Sequence, residues 1–303
     1  MVVYGHFPAL AIVFNQPDSC FASYLDCGFI SSLFTKNPIR DSCKIKPSLR
    51  AKGRFGMATK DPLVSVIVPT YCEEQNIERC LQSIQRQVFK KGRIEVIVAD
   101  SDSPDNTRAI ARKYANKVVH LRRRGVSKAR NIGAQKAKGE LLLFLDADTV
   151  LDQEFISEIY EAFADSNAVC VVGSMAGLER VGTMDKLFKF LHYGLVNYVS
   201  TLSARLGYPF FPTVCCACRR SVFNQIGGFD ESLAIAEDLV FSLKMGRIGR
   251  CLVSRRAKAY TSLRRVMKNG RLKNYYIYFR NYFKVFVLNK KPWIQDFPHT
   301  SEI

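Results

Sequence analysis

Two aspartates, Asp146 and Asp148, follow the apolar run Glu140-Leu-Leu-Leu-Phe-Leu and are separated only by Ala147. At that spacing both carboxylates can serve one bound diphosphate and its divalent metal. Hard oxygen ligands of this kind suit Mg2+ or Mn2+, which keep waters and share substrate phosphates. A second pair of acids, Glu237-Asp238, opens a segment that reads as a helix to about Gly249. A helix N-terminus lowers the pKa of a carboxylate and keeps it ionised, as a general base requires. Taken alone, each pair is equally what a solvated turn or an ordinary helix cap carries. The elements that position them decide the matter.

Leu141 to Leu145 is a continuous apolar run, so it reads as a strand buried on both faces in the middle of a covered, largely parallel sheet. Val64 to Val68 and Ile94 to Ala99 are β-branched strands, and Lys117 to Leu121 is a short third one. Helical spacing fills the gaps, from Glu73 to Val88, from Ser103-Pro104-Asp105 to Tyr114, and from Gly125 to Lys138. This alternation predicts a doubly wound α/β sheet with right-handed crossovers, helices on both faces, and one edge receiving every strand's last residues. Ligands bind at that edge in open α/β sheets. It gathers Pro69, Thr70, Tyr71 and Glu73 with Asp100, Asp146 and Asp148. Tyr71 can stack on a base, and Asp100 can accept the N–H groups of uracil or guanine, although a helix cap would serve Asp100 as well. The sequence has no G-x-x-x-x-G-K-[ST] and no G-x-G-x-x-G after a strand, which disfavours a P-loop or dinucleotide enzyme.

The chain has 303 residues, 48% of them hydrophobic, and a net charge of +18. That length supports a large core, and the charge implies an anionic partner. The ten cysteines are scattered, which fits reduced thiols in a cytosolic protein; Cys215, Cys216 and Cys218 read as small core residues rather than a zinc site. Residues 1–60 form an extension with no Lys or Arg before Lys36. An interfacial anchor, an added strand and a start at Met57 are all compatible with it. No run is long and apolar enough for a transmembrane helix.

The succession Val64-Ser-Val-Ile-Val-Pro-Thr-Tyr-Cys-Glu-Glu, Val98-Ala-Asp100, Gly125-Val-Ser-Lys-Ala-Arg130-Asn131-Ile-Gly133, Phe144-Leu-Asp146-Ala-Asp148, Gly227-Gly-Phe-Asp230-Glu and Glu237-Asp238 resembles the family-2 inverting glycosyltransferases of GT-A type. The resemblance covers about residues 62 to 270 and implies transfer of a sugar from a UDP- or GDP-linked donor. Asp100 and the Pro69 to Glu73 loop would then hold the base and ribose. Asp146 would contact the ribose or a metal-bound water, Asp148 would ligate Mn2+ or Mg2+, and Arg130 and Asn131 would look toward the nucleotide and sugar. Asp238 would be the catalytic base, with Glu237 beside it. Arg264 and Arg265 lie in a segment similar to one in which basic residues close over the diphosphate. Ser101 departs from the family, whose second strand is usually followed by paired acids.

Domain boundaries follow: residues 1–60 as the extension, 61–255 as the GT-A domain, and 256–303 as a basic amphipathic segment. Thr183 to Leu206 reads as a long apolar helix beside an acceptor channel or a membrane, or as a buried helix, with His192 packed rather than ligating. Between Leu239 and Gln295 the chain carries fifteen Lys and Arg, many aromatics, and no acid. Such composition favours the headgroup layer of anionic membranes, where a lipid-phosphate or glycan acceptor would be met at the cytoplasmic face. A basic nucleic-acid-binding protein is the rival reading, opposed by acids at three strand ends that would repel phosphates, so no nucleic acid is expected. A glycosyltransferase-like scaffold without turnover is a third.

Overall fold

The computed structural model describes residues 63–122, 124–178, 183–233 and 236–264, together with Tyr276 and Arg280. The predicted strands are β1, Val64–Thr70, β2, Ile94–Asp100, β3, Lys117–His120, and β4, Leu141–Leu145. After them come β5, Thr149–Leu151, β6, Cys170–Gly177, β7, Cys215–Arg219, and β8, Cys251–Thr261. All pair into one sheet in the order β3-β2-β1-β4-β7-β6-β8-β5. The first four positions are parallel throughout. β7 then runs antiparallel to both β4 and β6, while β6 and β8 are parallel. Arg256 to Thr261, predicted to begin the amphipathic segment, are instead the second half of β8. Beyond Arg264, only Tyr276 and Arg280 of that segment are among the described residues.

Helices α1, Ile77–Gln85, α2, Thr107–Ala111, and α3, Val126–Lys136, join the parallel strands. The remaining helices are α4, Phe155–Ala164, α5, Thr183–Arg205, α6, Arg220–Gln225, and α7, Glu237–Ile248. β4 shows why the sheet must be covered twice, because each of its residues is 0% exposed. Leu141, Leu143 and Leu145 face Ile77 and Leu81 of α1 and Phe155 and Ile159 of α4. Leu142 and Phe144 face Ala134 of α3 and Phe241 and Met245 of α7. Burying each of the Leu, Ile, Phe and Met side chains among these stabilises the fold by about 1.5–3 kcal/mol.

Two local contacts carry this packing toward the sheet edge. A Cβ added at Gly133 would lie 2.5 Å from Ile67 Cγ2, so α3 can approach β1 only because that residue is glycine. Arg130 and Asn131, in the same helix, are thereby buried at the edge. On the same face the Phe229 and Phe241 rings stack with centroids 4.1 Å apart, and Phe144 meets Phe229 edge-on at 5.0 Å. This cluster anchors the start of α7 against β4.

Candidate active site at the sheet edge

Parallel register pairs Thr70 with Asp100, and β4 delivers Asp146 and Asp148 just beyond the same edge. Asp100 is 0% exposed. Its Oδ2 accepts from the hydroxyls of Thr70 (2.9 Å) and Ser103 (2.5 Å), its Oδ1 accepts from the Ser103 N–H (3.0 Å), and Arg108 Nε lies 3.4 Å away. The carboxylate predicted to read a base is therefore turned inward, where it shapes the loop after β2. The outward acid of that loop is Asp102, which the sequence alone did not single out. It sits at φ +65° and meets His120 Nε2 at 2.8 Å, a contact that lowers its pKa below the usual value.

The β1 loop is equally organised. Arg124 lies over the Tyr71 ring, 4.2 Å from its centroid, on a face predicted to stack on a base. The Glu73 N–H donates to Thr107 Oγ1 at 2.8 Å, and Glu73 Oε2 accepts from Asn76 Nδ2 at 2.8 Å. Its other oxygen takes the Arg264 guanidinium, joining the first loop of the fold to the end of β8.

Arg130 is the centre of the edge. Its side chain is 4% exposed, with Nη2 3.0 Å from Asp146 Oδ1 and Nη1 3.2 Å from Glu237 Oε1. The guanidinium also lies 5.1 Å from the Phe229 ring centroid. Burial alone would lower its pKa, but Asp146 and Glu237 outweigh burial and raise it. Arg130, predicted to face the nucleotide and sugar, ties Asp146 to the start of α7. Asn131 turns to the loop before that helix. Its Nδ2 donates to Phe229 O and to Glu231 Oε1, both at 2.9 Å, and its Oδ1 accepts from the Phe229 N–H at 2.9 Å.

Asp238 follows Ala236, which is held at φ +65°, and its Oδ1 accepts from the Leu239 N–H at 2.8 Å. Burial, with Glu237 beside it, pushes the carboxyl up to about 7. That reverses the pKa lowering predicted from the helix terminus, because desolvation and neighbouring carboxylates outweigh the N–H groups and Arg130. Asp148 is 9% exposed, with Thr261 Oγ1 3.5 Å from Oδ1 and Arg264 Nη2 3.6 Å from Oδ2. Among the described residues no group of three or more His, Cys, Asp or Glu is placed to hold a metal unaided. The pair Asp146 and Asp148 nonetheless offers the carboxylate oxygens that suit Mn2+ or Mg2+, with the remaining positions open to water and phosphate. Arg265 lies outside the described residues.

The thiols and His192 fit the sequence. Cys215, Cys216 and Cys218 are free and buried in β7. His192 packs between Phe188 and Tyr193, and burial lowers its pKa.

Residues 65–227, more than half of the chain, match the model described as Glycosyl transferase family 2. The chain is 32% identical over 186 residues to the poly(ribitol-phosphate) beta-N-acetylglucosaminyltransferase TarS of Staphylococcus aureus, a match taking in 59% of this chain and 32% of TarS. It is 32% identical over 125 residues to glycosyltransferase AglE of Haloferax volcanii, covering 39% of this chain and 41% of AglE. Each of these matches spans less than half of the relative's length. The crystal structure of S. aureus TarS 1-349 in complex with UDP-GlcNAc superposes with TM-score 0.52 at 29% identity, over 66% of this chain and 58% of that one. Mannosyltransferase PcManGT from Pyrobaculum calidifontis, solved with GDP-Man and Mn2+, has TM-score 0.57 at 22% identity, over 82% and 71%, and shares the fold.

Proposed function

This chain belongs to glycosyl transferase family 2, and we propose that it is a metal-dependent, inverting glycosyltransferase using a nucleoside-diphosphate sugar. The observation that carries the reading is the Arg130 bridge, which joins Asp146 of the D-x-D to Glu237, the neighbour of Asp238. It supports reading the two pairs of acids as parts of one site, one for the diphosphate and one for the base.

In the proposed reaction the acceptor oxygen attacks the anomeric carbon from the face opposite the diphosphate. The bond from that carbon to the diphosphate oxygen breaks, configuration inverts, and Asp238 takes the acceptor's proton. With a phosphate acceptor the attacking oxygen is already ionised, and Asp238 orients it. Asp148 would hold a divalent metal, with Asp146 reaching it through water or binding the ribose. When bound, the metal supplies positive charge against the departing diphosphate. Arg264, next to Asp148 and Glu73, adds a cation on the same side. The loops of Pro69, Thr70 and Tyr71 and of Asp100 would receive the base, with Asp100 acting through the loop it shapes.

The TarS complex with UDP-GlcNAc supports testing a uridine donor first, with GDP-linked sugars second. A lipid-phosphate or glycan acceptor at a membrane surface accords with the +18 charge and the acid-free stretch after Leu239. The deciding experiment is calorimetry of UDP, GDP and their sugar conjugates with Mn2+, Mg2+ or EDTA, on wild type and Asp148→Ala. Metal-dependent binding of one nucleotide, lost in the variant, supports the reading. Folded protein that binds none of them overturns it and shifts attention to nucleic acid on the basic surface.

A further inference from the structure

The exposed large apolar side chains of the described residues are concentrated on one element. Leu187, Leu191, Leu195, Tyr198, Leu202 and Leu206 are 42–64% exposed along and just beyond α5, and Phe190 is 75% exposed beside them. At about 100° per residue Leu187, Leu191, Tyr198 and Leu202 fall within roughly 60° of one another, with Leu195 and Phe190 on either side. From Leu187 to Leu206 the stripe runs about 28 Å. Its opposite side is packed: Tyr193 and Ser200 are buried, and Asn197 exchanges hydrogen bonds with the Met175 backbone at 3.0 and 2.9 Å. A patch this long and apolar marks a contact surface rather than ordinary exposure.

Charge selects the occupant. The helix that bears the stripe carries Lys186, Lys189 and Arg205 against one acid, Asp185, and no further Asp or Glu occurs before Asp230. Leucines in line, tyrosines within and beyond them, and cations in excess of acids are the composition that seats a helix in the headgroup layer of an anionic bilayer. No described helix is long and apolar enough to cross a membrane, so the contact is one of lying on it.

We infer that the outer face of α5 is a membrane-docking surface that seats the sheet edge over an anionic bilayer. The inference rests on the membrane-facing part of the proposed function and supplies its contact residues. Tyr193 Oη, on the packed side of α5, donates to Thr261 O at 3.0 Å, and Thr261 Oγ1 stands 3.5 Å from Asp148 Oδ1. One helix diameter, about 10–12 Å, therefore separates the bilayer contact from the layer that carries Asp148. That height suits an acceptor whose phosphate stands at the headgroup level.

The test uses the full chain, with Trp293→Phe removing the only tryptophan and Leu195→Trp placing a reporter on the stripe. Vesicles are phosphatidylcholine alone, or phosphatidylcholine with phosphatidylglycerol, with and without brominated acyl chains. The expected result is a blue shift and bromine quenching with anionic vesicles only. Leu187→Ser, Leu191→Ser and Leu202→Ser together should lower vesicle partition by at least about tenfold while leaving donor-nucleotide binding unchanged. Vesicle binding without the reporter shift assigns docking to another segment and overturns the inference. A shift without vesicles that grows with protein concentration overturns it in favour of a second copy, and absence of vesicle binding overturns it outright. Nucleotide binding in the same samples reports separately on the donor site.

Discussion

Arg264 Nη2 stands 3.6 Å from Asp148 Oδ2, so a fixed cation lies beside the carboxylate proposed to hold the metal. In the proposed donor site a nucleoside diphosphate would meet the guanidinium as well as the metal. Arg264→Ala is expected to weaken UDP or GDP binding about tenfold or more, the scale of one lost charge-assisted hydrogen bond. Arg264→Lys should fall between, since it keeps the charge and loses the planar fork. Calorimetry at fixed Mn2+ checks this, and an unchanged dissociation constant for Arg264→Ala would remove Arg264 from the donor site.

Arg130 holds two carboxylates that would otherwise face each other without a counter-ion. Arg130→Met should destabilise the protein by about 2–4 kcal/mol, slightly below the range for fully buried pairs because Asp146 is 31% exposed. The urea midpoint should drop with little change in the denaturant slope. Equal stability would mean that the two acids relax apart at no cost.

Asp238 sets the pH dependence. A base must be deprotonated, so with a hydroxyl acceptor kcat/KM should rise tenfold per pH unit below about 7 and level above it. Stability runs the other way: the native state holds this proton more tightly than the unfolded chain, whose aspartate titrates near 3.8. Stability is fully present below that value and is lost as pH rises through about 7. Asp238→Asn should therefore cut turnover by about 10²–10⁴ and raise the melting temperature at pH values above 7 more than at acidic pH. A variant with normal turnover would place the base elsewhere.

Asn131 and Gly228 belong to one unit. Gly228 has φ +69°, and a Cβ there would lie 2.6 Å from Asn131 Oδ1. Asn131→Ala strands the Phe229 peptide and should cost about 1–3 kcal/mol. Gly228→Ala should cost a similar amount through strain and collision, and the double variant less than the sum. Strict additivity in thermal unfolding would show that the two do not share a contact.

The parallel half of the sheet was legible because β1, β2 and β4 are apolar and β-branched or leucine-rich, and because their ends carry acids. β7 was hidden by composition: Cys-Cys-Ala-Cys-Arg has neither β-branched residues nor alternation, and only its burial makes it a strand. β8 did alternate, with Ala257, Ala259 and Thr261 buried and Arg256 and Lys258 exposed, but its inward residues are too small to outweigh the cations in a hydrophobic pattern. The acids at the edge were legible as a set, not as individuals. Nothing in Asp100-Ser-Asp102 tells which carboxylate turns inward, since that depends on Thr70, thirty residues away. The same holds for Asp238, whose raised pKa comes first from burial and then from Glu237 beside it, with Asp146 adding to both.

The inward Asp100 has a consequence for how such a site can change. Because one hidden carboxylate fixes the loop from beneath, the loop's outer surface, where Asp102 and His120 meet, is released from any duty to the core. Substitutions there can be tried and discarded with the scaffold untouched. A library limited to those two positions would accordingly test whether this surface reads the nucleobase of the proposed donor.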